Sequence, residues 1–216
     1  MSTPIAIFYH AILSGGARNV NFNYAVNLVA EQMFALRNGG LIDKASEFHV
    51  GLNGNYIDQI ALSVLCGKSA VISCHGPDAV SEIPTLAMIQ QWVSKHPNWY
   101  VVYHHTKGVS TANHVQNWRR RMERFVITRW QDCVAQLESG KDACGCHWLT
   151  PETNPGTINS PFFGGNFWWA KSKYLMSLPI LPKDSWENRY EAEVWIGKGK
   201  KRPFVHDFYP GWPTLD

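Results

Sequence analysis

The first half of the chain alternates apolar segments of strand length with segments whose apolar residues recur at helical spacing. The segments that predict strands are residues 4–9, 47–52, 69–74 and 98–103. The segments that predict the intervening helices are residues 23–38, 58–65 and 83–94. This order is typical of a mostly parallel sheet with helices on both faces, so we expect an α/β fold. A chain of 216 residues without an evident linker is expected to form a single domain.

Polar side chains follow the predicted strands at the point where each strand ends. These side chains are His10, Asn53, His75 and the run from His104 to Lys107. Ligands of open parallel sheets bind beyond the carboxyl ends of the strands, and all of these positions lie at that end. The pattern therefore favours a ligand site at this edge of the sheet.

The run HHTKG directly follows an apolar, aromatic segment with no polar transition. His104, His105, Thr106 and Lys107 could hold a phosphate or diphosphate through charge-assisted hydrogen bonds. The imidazoles could instead bind a transition-metal ion. The structural alternative is one buried histidine, one solvated histidine and an ordinary surface lysine. The position at the end of a central strand, followed by Gly108, favours a functional role.

Residues 115–137 predict a long helix that carries a run of arginines. Arg119, Arg120 and Arg121 point in three directions on such a helix, so at most two of them can face a cleft. Arginine suits bidentate contact with phosphate, and the alternative is a solvated helix face.

The segment GGNFWWA predicts close approach of backbone to a ligand, because Gly164 and Gly165 carry no side chain. Asn166 offers both a donor and an acceptor. In an extended segment Trp168 and Trp169 point to opposite faces, so one indole could pack in the core while the other forms a platform for a sugar ring. The alternative is two core tryptophans beside a structural bulge.

Residues 184–196 predict a helix that contains RYEAEVW. Glu191 and Glu193 lie two positions apart, which separates them by about 200° on a helix, so we expect only one of them to act as a general base. His206 follows an apolar segment in the C-terminal tail, where an edge strand is also expected, and would gain a role only if the tail folds over the cleft.

The overall composition limits the class of protein. The formal charge of +3 is compatible with an anionic substrate but does not require one. No apolar run approaches the roughly 20 residues needed to span a bilayer, and the N-terminus lacks the basic region of a signal peptide. The five scattered cysteines are a poor disulfide framework, so we expect a cytoplasmic protein.

In order and spacing these motifs resemble those of GT-A type nucleotide-sugar glycosyltransferases. The likeness is to small bacterial, phage and large-virus polysaccharide-type transferases related to rhamnan-synthesis proteins. It rests on YVVYHHTKG, WRRRMERFVITRW, FFGGNFWWA, RYEAEVWIG and the earlier EQMFALRNGGLID and VGLNG, across roughly residues 4–207. The resemblance implies a GT-A-like, Rossmann-like domain over residues 1–216. Residues 1–110 would be its nucleotide-binding half and residues 111–216 its acceptor and catalytic half.

The resemblance also implies roles for individual residues. Those expected to bind the donor diphosphate are His104, His105, Thr106, Lys107, Arg119, Arg120 and His206. Those expected to hold the nucleoside are Tyr9, His10 and Asn53. Those expected to contact the acceptor or the sugar are Gly164, Gly165, Asn166, Trp168 and Trp169. Glu193, or alternatively Glu191, is expected to be the base.

One motif of these enzymes is missing. They place an Asp-x-Asp pair after a central strand, where it binds a divalent metal and the diphosphate, and no Asp-x-Asp occurs in this sequence. We therefore expect a metal-independent site, with cationic side chains in place of Mg²⁺ or Mn²⁺. If a metal does bind, His105 and His206 are the expected ligands.

The resemblance implies transfer of a sugar from a nucleoside-diphosphate donor to a hydroxyl of a glycan or lipid-linked acceptor. With Glu193 as general base, the reaction would invert the anomeric centre. One rival is glycosylation of a modified base in phage DNA, with the basic helix on phosphates, although a charge of +3 is modest for that role. The other rival is a non-catalytic carbohydrate- or nucleotide-binding module on a degenerate GT-A fold.

Overall fold

The computed structural model describes residues 2–14, 20–110, 115–153, 159–199 and 201–212. Its strands are β1 (Ile5–Ile12), β2 (Glu47–Asn53), β3 (Ala70–Cys74), β4 (Tyr100–His105), β5 (Ala143–Gly145), β6 (Trp148–Leu149), β7 (Phe162–Phe163), β8 (Trp168–Lys171) and β9 (Val205–Asp207). Its α-helices are α1 (Phe22–Asn38), α2 (Leu41–Lys44), α3 (Tyr56–Cys66), α4 (Ile83–Val93), α5 (Gln116–Met122), α6 (Trp130–Glu138), α7 (Ser172–Leu175) and α8 (Glu191–Val194). Across these described ranges, no helix combines the length and the apolar character needed to cross a membrane.

Seven strands form one sheet in the order β3-β2-β1-β4-β8-β5-β9. The first four of these are parallel, and α1, α3 and α4 supply the connections that parallel neighbours require. Strand β8 runs antiparallel to both β4 and β5, while β9 pairs parallel with β5 at the sheet edge. Strands β6 and β7 form a separate antiparallel pair. The structure confirms the expected α/β fold with a mostly parallel sheet.

The central strands β1 and β4 are buried on both faces of the sheet, and their successive residues alternate between two apolar layers. Ile7 and Tyr9 of β1 pack in the layer that contains α1. Ala6 and Phe8 pack in the layer that contains α4. A buried parallel strand therefore reads as a continuous apolar run, which explains the segment IAIFY at the start of the chain.

The long helix expected over residues 115–137 is interrupted. A π-helical segment, Glu123–Thr128, separates α5 from α6, and Arg129 between them has φ −101° and ψ 38°. The indole of Trp169 donates a hydrogen bond of 2.7 Å to the Val126 carbonyl in this segment. Insertion of a side-chain donor into the helical ladder is a known cause of such a break.

The helix expected over residues 184–196 is much shorter in the structure. Only α8 and a 3₁₀ turn, Trp195–Gly197, are helical there. Upstream, the Ser185 hydroxyl accepts from the Asn188 backbone N–H at 3.3 Å, and the Asn188 side-chain amide donates to the Lys183 carbonyl at 3.1 Å. Such local side-chain bonds offer the backbone an alternative to the helical pattern.

A buried ion-pair network joins α1 to α5 and the π-helical segment. The guanidinium of Arg119 is 2% exposed and donates to Glu123 at 2.8 Å and to Glu31 at 2.9 Å. Gln32 also donates to Glu123, at 2.9 Å. Burial raises the pKa of Glu123, and the charge and hydrogen bonds of Arg119 oppose that rise. Arg119 therefore stabilises a carboxylate that the fold has removed from water.

We predict that Arg119→Met lowers the free energy of unfolding by about 3 kcal/mol, because Glu123 would be left buried without its cation. The matched control is Arg120→Met. Arg120 is exposed and contacts only the outer oxygen of Glu31, at 3.3 Å, so its loss should cost less than about 0.5 kcal/mol. Urea denaturation of both variants provides the measurement, and equal losses would contradict the assigned role of Arg119.

Candidate functional site

A cleft of about 260 Å³ opens at the carboxyl ends of β1 and β4. The first strand contributes His10, the fourth contributes His105, and the loop after it contributes residues 106–110. Further polar lining residues come from other parts of the chain: Ser81, Glu82, Trp118, Arg189, Tyr190 and Glu193. The site thus lies where the sequence predicted it, beyond the carboxyl ends of parallel strands.

The chain turns sharply after β4 and brings Lys107 into the cleft. The Thr106 hydroxyl accepts from the backbone N–H of Ile12 at 3.2 Å, which ties the loop to β1. The Lys107 backbone N–H donates to the His105 carbonyl at 2.8 Å. Gly108 has φ +86°, a left-handed conformation that favours glycine. The run HHTKG therefore encodes both the strand end and the turn that presents the lysine.

Lys107 and Glu193 meet across the cleft. The distance between Lys107 Nζ and Glu193 Oε1 is 4.0 Å. The ammonium also lies 4.4 Å from the ring centroid of Trp118, within the range of a cation–π contact. On the same wall the guanidinium of Arg189 stacks 4.1 Å from the Tyr190 ring. The cleft combines two cations, the carboxylates of Glu82 and Glu193, and two aromatic side chains.

Glu82 contacts three polar side chains at the base of the cleft. It occupies the N-cap of α4, and its Oε2 accepts from the Tyr103 hydroxyl at 2.7 Å and from the Asn166 amide at 2.8 Å. Its Oε1 lies 3.2 Å from Nδ1 of His105. Burial and the adjacent Glu82 carboxylate raise the pKa of Tyr103 well above its ordinary value, which keeps the phenol a donor.

The loop 164–166 supports the cleft from behind and does not line it. Gly165 and Asn166 have φ values of +88° and +58°. The Gly165 carbonyl accepts from Nε2 of His105 at 2.9 Å, and the Asn166 amide donates to the Ala192 carbonyl of α8 at 3.3 Å. Gly164 packs against His147 instead. The three loop residues expected to contact the acceptor are thus not part of the cleft lining.

Of the three residues expected to hold a nucleoside, His10 lines the cleft, and Asn53 and Tyr9 do not. His10 lines the cleft, with Nδ1 2.7 Å from the Thr85 hydroxyl. Asn53 is fully buried and donates to the Ser81 carbonyl at 2.9 Å, so it positions a lining segment. Tyr9 is fully buried on the other face of the sheet and donates to Gln32 at 2.6 Å. Tyr9 therefore lies outside the cleft, because consecutive strand residues face opposite layers.

The same alternation removes His104 from the cleft. Its ring lies 4.6 Å from the Tyr9 ring and 5.8 Å from the Phe167 ring, and the residue is 1% exposed. Among the described residues, neither ring nitrogen of His104 has a hydrogen-bond partner. Burial and the neighbouring His105 lower the pKa of His104 to about 3. The structure therefore places His104, expected to bind the diphosphate, in the core and outside the cleft.

Both tryptophans of GGNFWWA are core residues. Trp168 and Trp169 are fully buried, in opposite layers of the core. The Trp168 indole donates to the Asn166 side chain at 2.9 Å. The two indoles lie on opposite faces, as expected, but both are covered: Trp195 of the 3₁₀ turn packs against Trp168, and the Val126 carbonyl of the π-helical segment accepts from Trp169.

Four other residues assigned from the sequence lie outside the cleft. Arg119 and Arg120 are directed to Glu31, on the α1 side of the molecule. Glu191 pairs with Lys198, which leaves Glu193 as the carboxylate of this helix that reaches the cleft. His206 lies on the edge strand β9 against Phe208, and roughly 14 Å of sheet, at three strand spacings, separates β9 from β4.

The donor set does not fit a divalent metal. Within the described ranges, no group of three or more His, Cys, Asp or Glu side chains is arranged to hold a metal ion. His105 has both ring nitrogens directed at protein acceptors, and His206 is on a distant strand. We therefore derive no step through a metal.

Four charged or aromatic residues of the cleft were not predicted from the sequence. They are Glu82, Trp118, Arg189 and Tyr190. Glu82 is the N-cap of α4, and Trp118 lies in the first turn of α5. Only the tertiary fold brings these two residues near the end of β4. Arg189 and Tyr190 directly precede Glu191 in the motif RYEAEVW, so a reading of the whole motif could have included them.

A protein-family model matches residues 8–207 of the chain, and its description is "Domain of unknown function (DUF8361)". The chain belongs to this family. Among curated proteins, ribosome maturation factor RimM from Synechococcus sp. (strain JA-2-3B'a(2-13)) is 27% identical over 114 residues, which are 53% of each chain. The chain thus spans about half the length of that curated relative.

Two solved structures of other proteins have a fold similar to that of this chain. A "putative nucleotide-diphospho-sugar transferase" from Desulfovibrio desulfuricans G20 has a TM-score of 0.51 at 10% identity, covering 99% of this chain and 84% of its own. A mycobacterial protein has a TM-score of 0.51 at 13% identity, covering 98% and 69%. At these identities the likeness shows that the chain shares the fold of the two structures.

We predict that His104 makes the protein less stable as the pH falls. Its folded pKa of about 3 is below the ordinary value of about 6.5, so between these values only the unfolded chain binds the proton. The loss should reach roughly 2 kcal/mol at pH 5. His104→Phe should remove this part of the loss between pH 7 and pH 5 in denaturation experiments.

His206→Phe is the control for that measurement, because His206 is only partly buried, on the edge strand β9. It should leave most of the pH dependence in place. An unchanged slope in His104→Phe would contradict the assignment of His104 as a neutral core residue.

Proposed function

We propose that the protein transfers a sugar from a nucleoside-diphosphate donor to a hydroxyl group of a carbohydrate or lipid-linked acceptor. The observation that carries this proposal is the approach of Lys107 Nζ to Glu193 Oε1, 4.0 Å apart in one cleft at the carboxyl end of the sheet. The likeness of the fold to a nucleotide-diphospho-sugar transferase adds support. A cation for a leaving phosphate and a carboxylate for an incoming hydroxyl are the two groups that the reaction needs.

In the proposed reaction Glu193 accepts the proton of the acceptor hydroxyl. The acceptor oxygen forms a bond to the anomeric carbon while the bond from that carbon to the donor phosphate oxygen breaks. The nucleoside diphosphate leaves with the electron pair, and the Lys107 ammonium stabilises its added negative charge. Direct displacement of this kind inverts the configuration of the anomeric carbon.

The remaining lining residues suit the same ligands. Arg189 carries a planar guanidinium, which can bind phosphate through two hydrogen bonds. Tyr190 and Trp118 present aromatic surface beside the two cations. An aromatic face can stack against a nucleobase or a sugar ring, so these residues are proposed to hold the organic parts of the donor and the acceptor.

The DNA-modification alternative receives less support from the arrangement of charge. Arg119 and Arg120 are paired with Glu31, and Arg129 is paired with Asp132 at 2.5 Å. Arginines that are neutralised by carboxylates are poorly suited to release counterions from a DNA backbone. The non-catalytic alternative makes a different prediction, since a binding module would show no turnover with any donor.

We predict that Glu193→Gln lowers kcat for donor turnover by roughly 100- to 10,000-fold, because a general base is lost. Donor affinity should change little. Glu191→Gln is the matched control, since Glu191 pairs with Lys198 outside the cleft. The measurement is release of nucleoside diphosphate with a panel of sugar donors. Equal activity of Glu193→Gln and wild type would contradict the proposed base, and a retained configuration in the product would contradict direct displacement.

We predict that nucleoside diphosphates raise the melting temperature of the wild-type protein, because a ligand that binds only the native state stabilises it by mass action. Lys107→Met should lose most of this shift, whereas Lys201→Met should keep it because Lys201 lies outside the cleft. The shift should be equal in EDTA and in Mn²⁺. Activity that EDTA abolishes and Mn²⁺ restores would contradict the metal-independent form of the proposal.

A further inference from the structure

His105 differs from the other residues of the HHTKG turn because protein acceptors face both of its ring nitrogens. Nε2 lies 2.9 Å from the Gly165 carbonyl oxygen, which can only accept, so Nε2 carries a proton. Nδ1 lies 3.2 Å from Glu82 Oε1, within hydrogen-bond range. The protonation of this second nitrogen depends on whether Glu82 is a carboxylate or a carboxylic acid.

Hydrogen-bond donors contact the carboxyl group of Glu82. Its other oxygen, Oε2, already accepts from the Tyr103 hydroxyl at 2.7 Å and from the Asn166 amide at 2.8 Å. Hydrogen bonds that are donated to a carboxylate stabilise its charged form. Glu82 also stands at the N-cap of the 11-residue helix α4, where the helix dipole favours negative charge. The shared proton is therefore expected on His105.

The charged groups around the ring agree with this assignment. Glu82 and Glu193 are the carboxylates of the cleft, and Lys107 is the nearest cation along the chain. His104, the neighbouring imidazole, faces the opposite layer and stays neutral there. A single positive charge on His105 thus meets one carboxylate directly.

We infer that Glu82, Asn166 and the Gly165 carbonyl hold His105 as an imidazolium ion, and that His105 in this form is a positioning residue for Lys107. His105 is the last residue of β4, and its carbonyl accepts from the Lys107 backbone N–H at 2.8 Å and from the Gln32 amide at 3.0 Å. A ring that is fixed at both nitrogens therefore fixes the start of the turn that carries the lysine. The functional part of this inference rests on the proposed sugar transfer.

Asn166 connects the same network to the proposed base. Its amide donates to Glu82 and also, at 3.3 Å, to the Ala192 carbonyl, one residue before Glu193. Its side-chain oxygen accepts from the Trp168 indole at 2.9 Å. A non-glycine residue with φ +58° is uncommon, and asparagine tolerates this conformation better than most residues. Asn166 thus links the supports of Lys107 and Glu193.

The protonation state is tested by ¹⁵N NMR of histidine-labelled free protein at pH 7, with the His105 signals identified by their absence from His105→Gln. We expect a directly bonded proton on both ring nitrogens of His105. An unprotonated Nδ1 would overturn the inference. No donor is needed for this measurement, so its outcome is independent of whether the protein transfers sugars.

Two variants test the network. In Glu82→Gln and in Asn166→Gly, which keeps the left-handed backbone accessible, the Nδ1 proton signal should weaken or disappear. With an active donor, KM should rise about tenfold, a loss of about 1.4 kcal/mol, while Glu191→Gln stays at the wild-type value. Unchanged ¹⁵N signals and unchanged KM in both variants would overturn the positioning role, even if their melting temperatures fall. If Nδ1 is protonated in the wild-type protein and loses its proton in these two variants, but the wild-type protein turns over no donor, only the proposed function is overturned.

Discussion

The antiparallel pairing of β8 with β4 determines the form of the site. In this register Tyr103 stands opposite Trp168, so the loop that precedes β8 lies level with the end of β4. A parallel partner would place the start of its strand at the opposite end of the sheet. The reversal therefore brings Gly165 and Asn166 beside His105, where their carbonyl and amide complete the polar contacts behind the cleft.

Successive residues of a strand face opposite sides of the sheet, so the HHTKG motif contributes one histidine to the core and the next to the cleft. His104 and His105 are adjacent in sequence, yet one ring enters the apolar layer beside Tyr9 and the other contacts Glu82. The described residues offer the buried, neutral His104 ring no hydrogen-bond partner, which destabilises the fold, while the His105 ring lies beside two acceptors. A pair of histidines at a strand end is thus one core residue and one residue of the site.

The sequence allowed much of the architecture to be predicted, because the strands of the first half are apolar runs separated by helical periodicity. The carboxyl-end location of the site followed from that order alone, and it included His10, Thr106 and Lys107. Glu82 could not be predicted, since its partner Asn166 is 84 positions away in the chain. The short α8 was also missed, because hydrogen bonds of the Ser185 and Asn188 side chains compete with the helix.

The ion pairs explain why the arginine-rich helix α5 and the cleft that contains Lys107 are separate features. Arg119 and Arg120 of α5 pair with carboxylates of α1 and of the π-helical segment, so they act on the stability of the fold. Lys107 has only Glu193 within ion-pair distance among the described residues, and that contact is long, at 4.0 Å. A weak, partly exposed pair of this kind costs little to separate. A ligand with a phosphate for the lysine and a hydroxyl for the carboxylate can therefore replace the contact with two stronger ones.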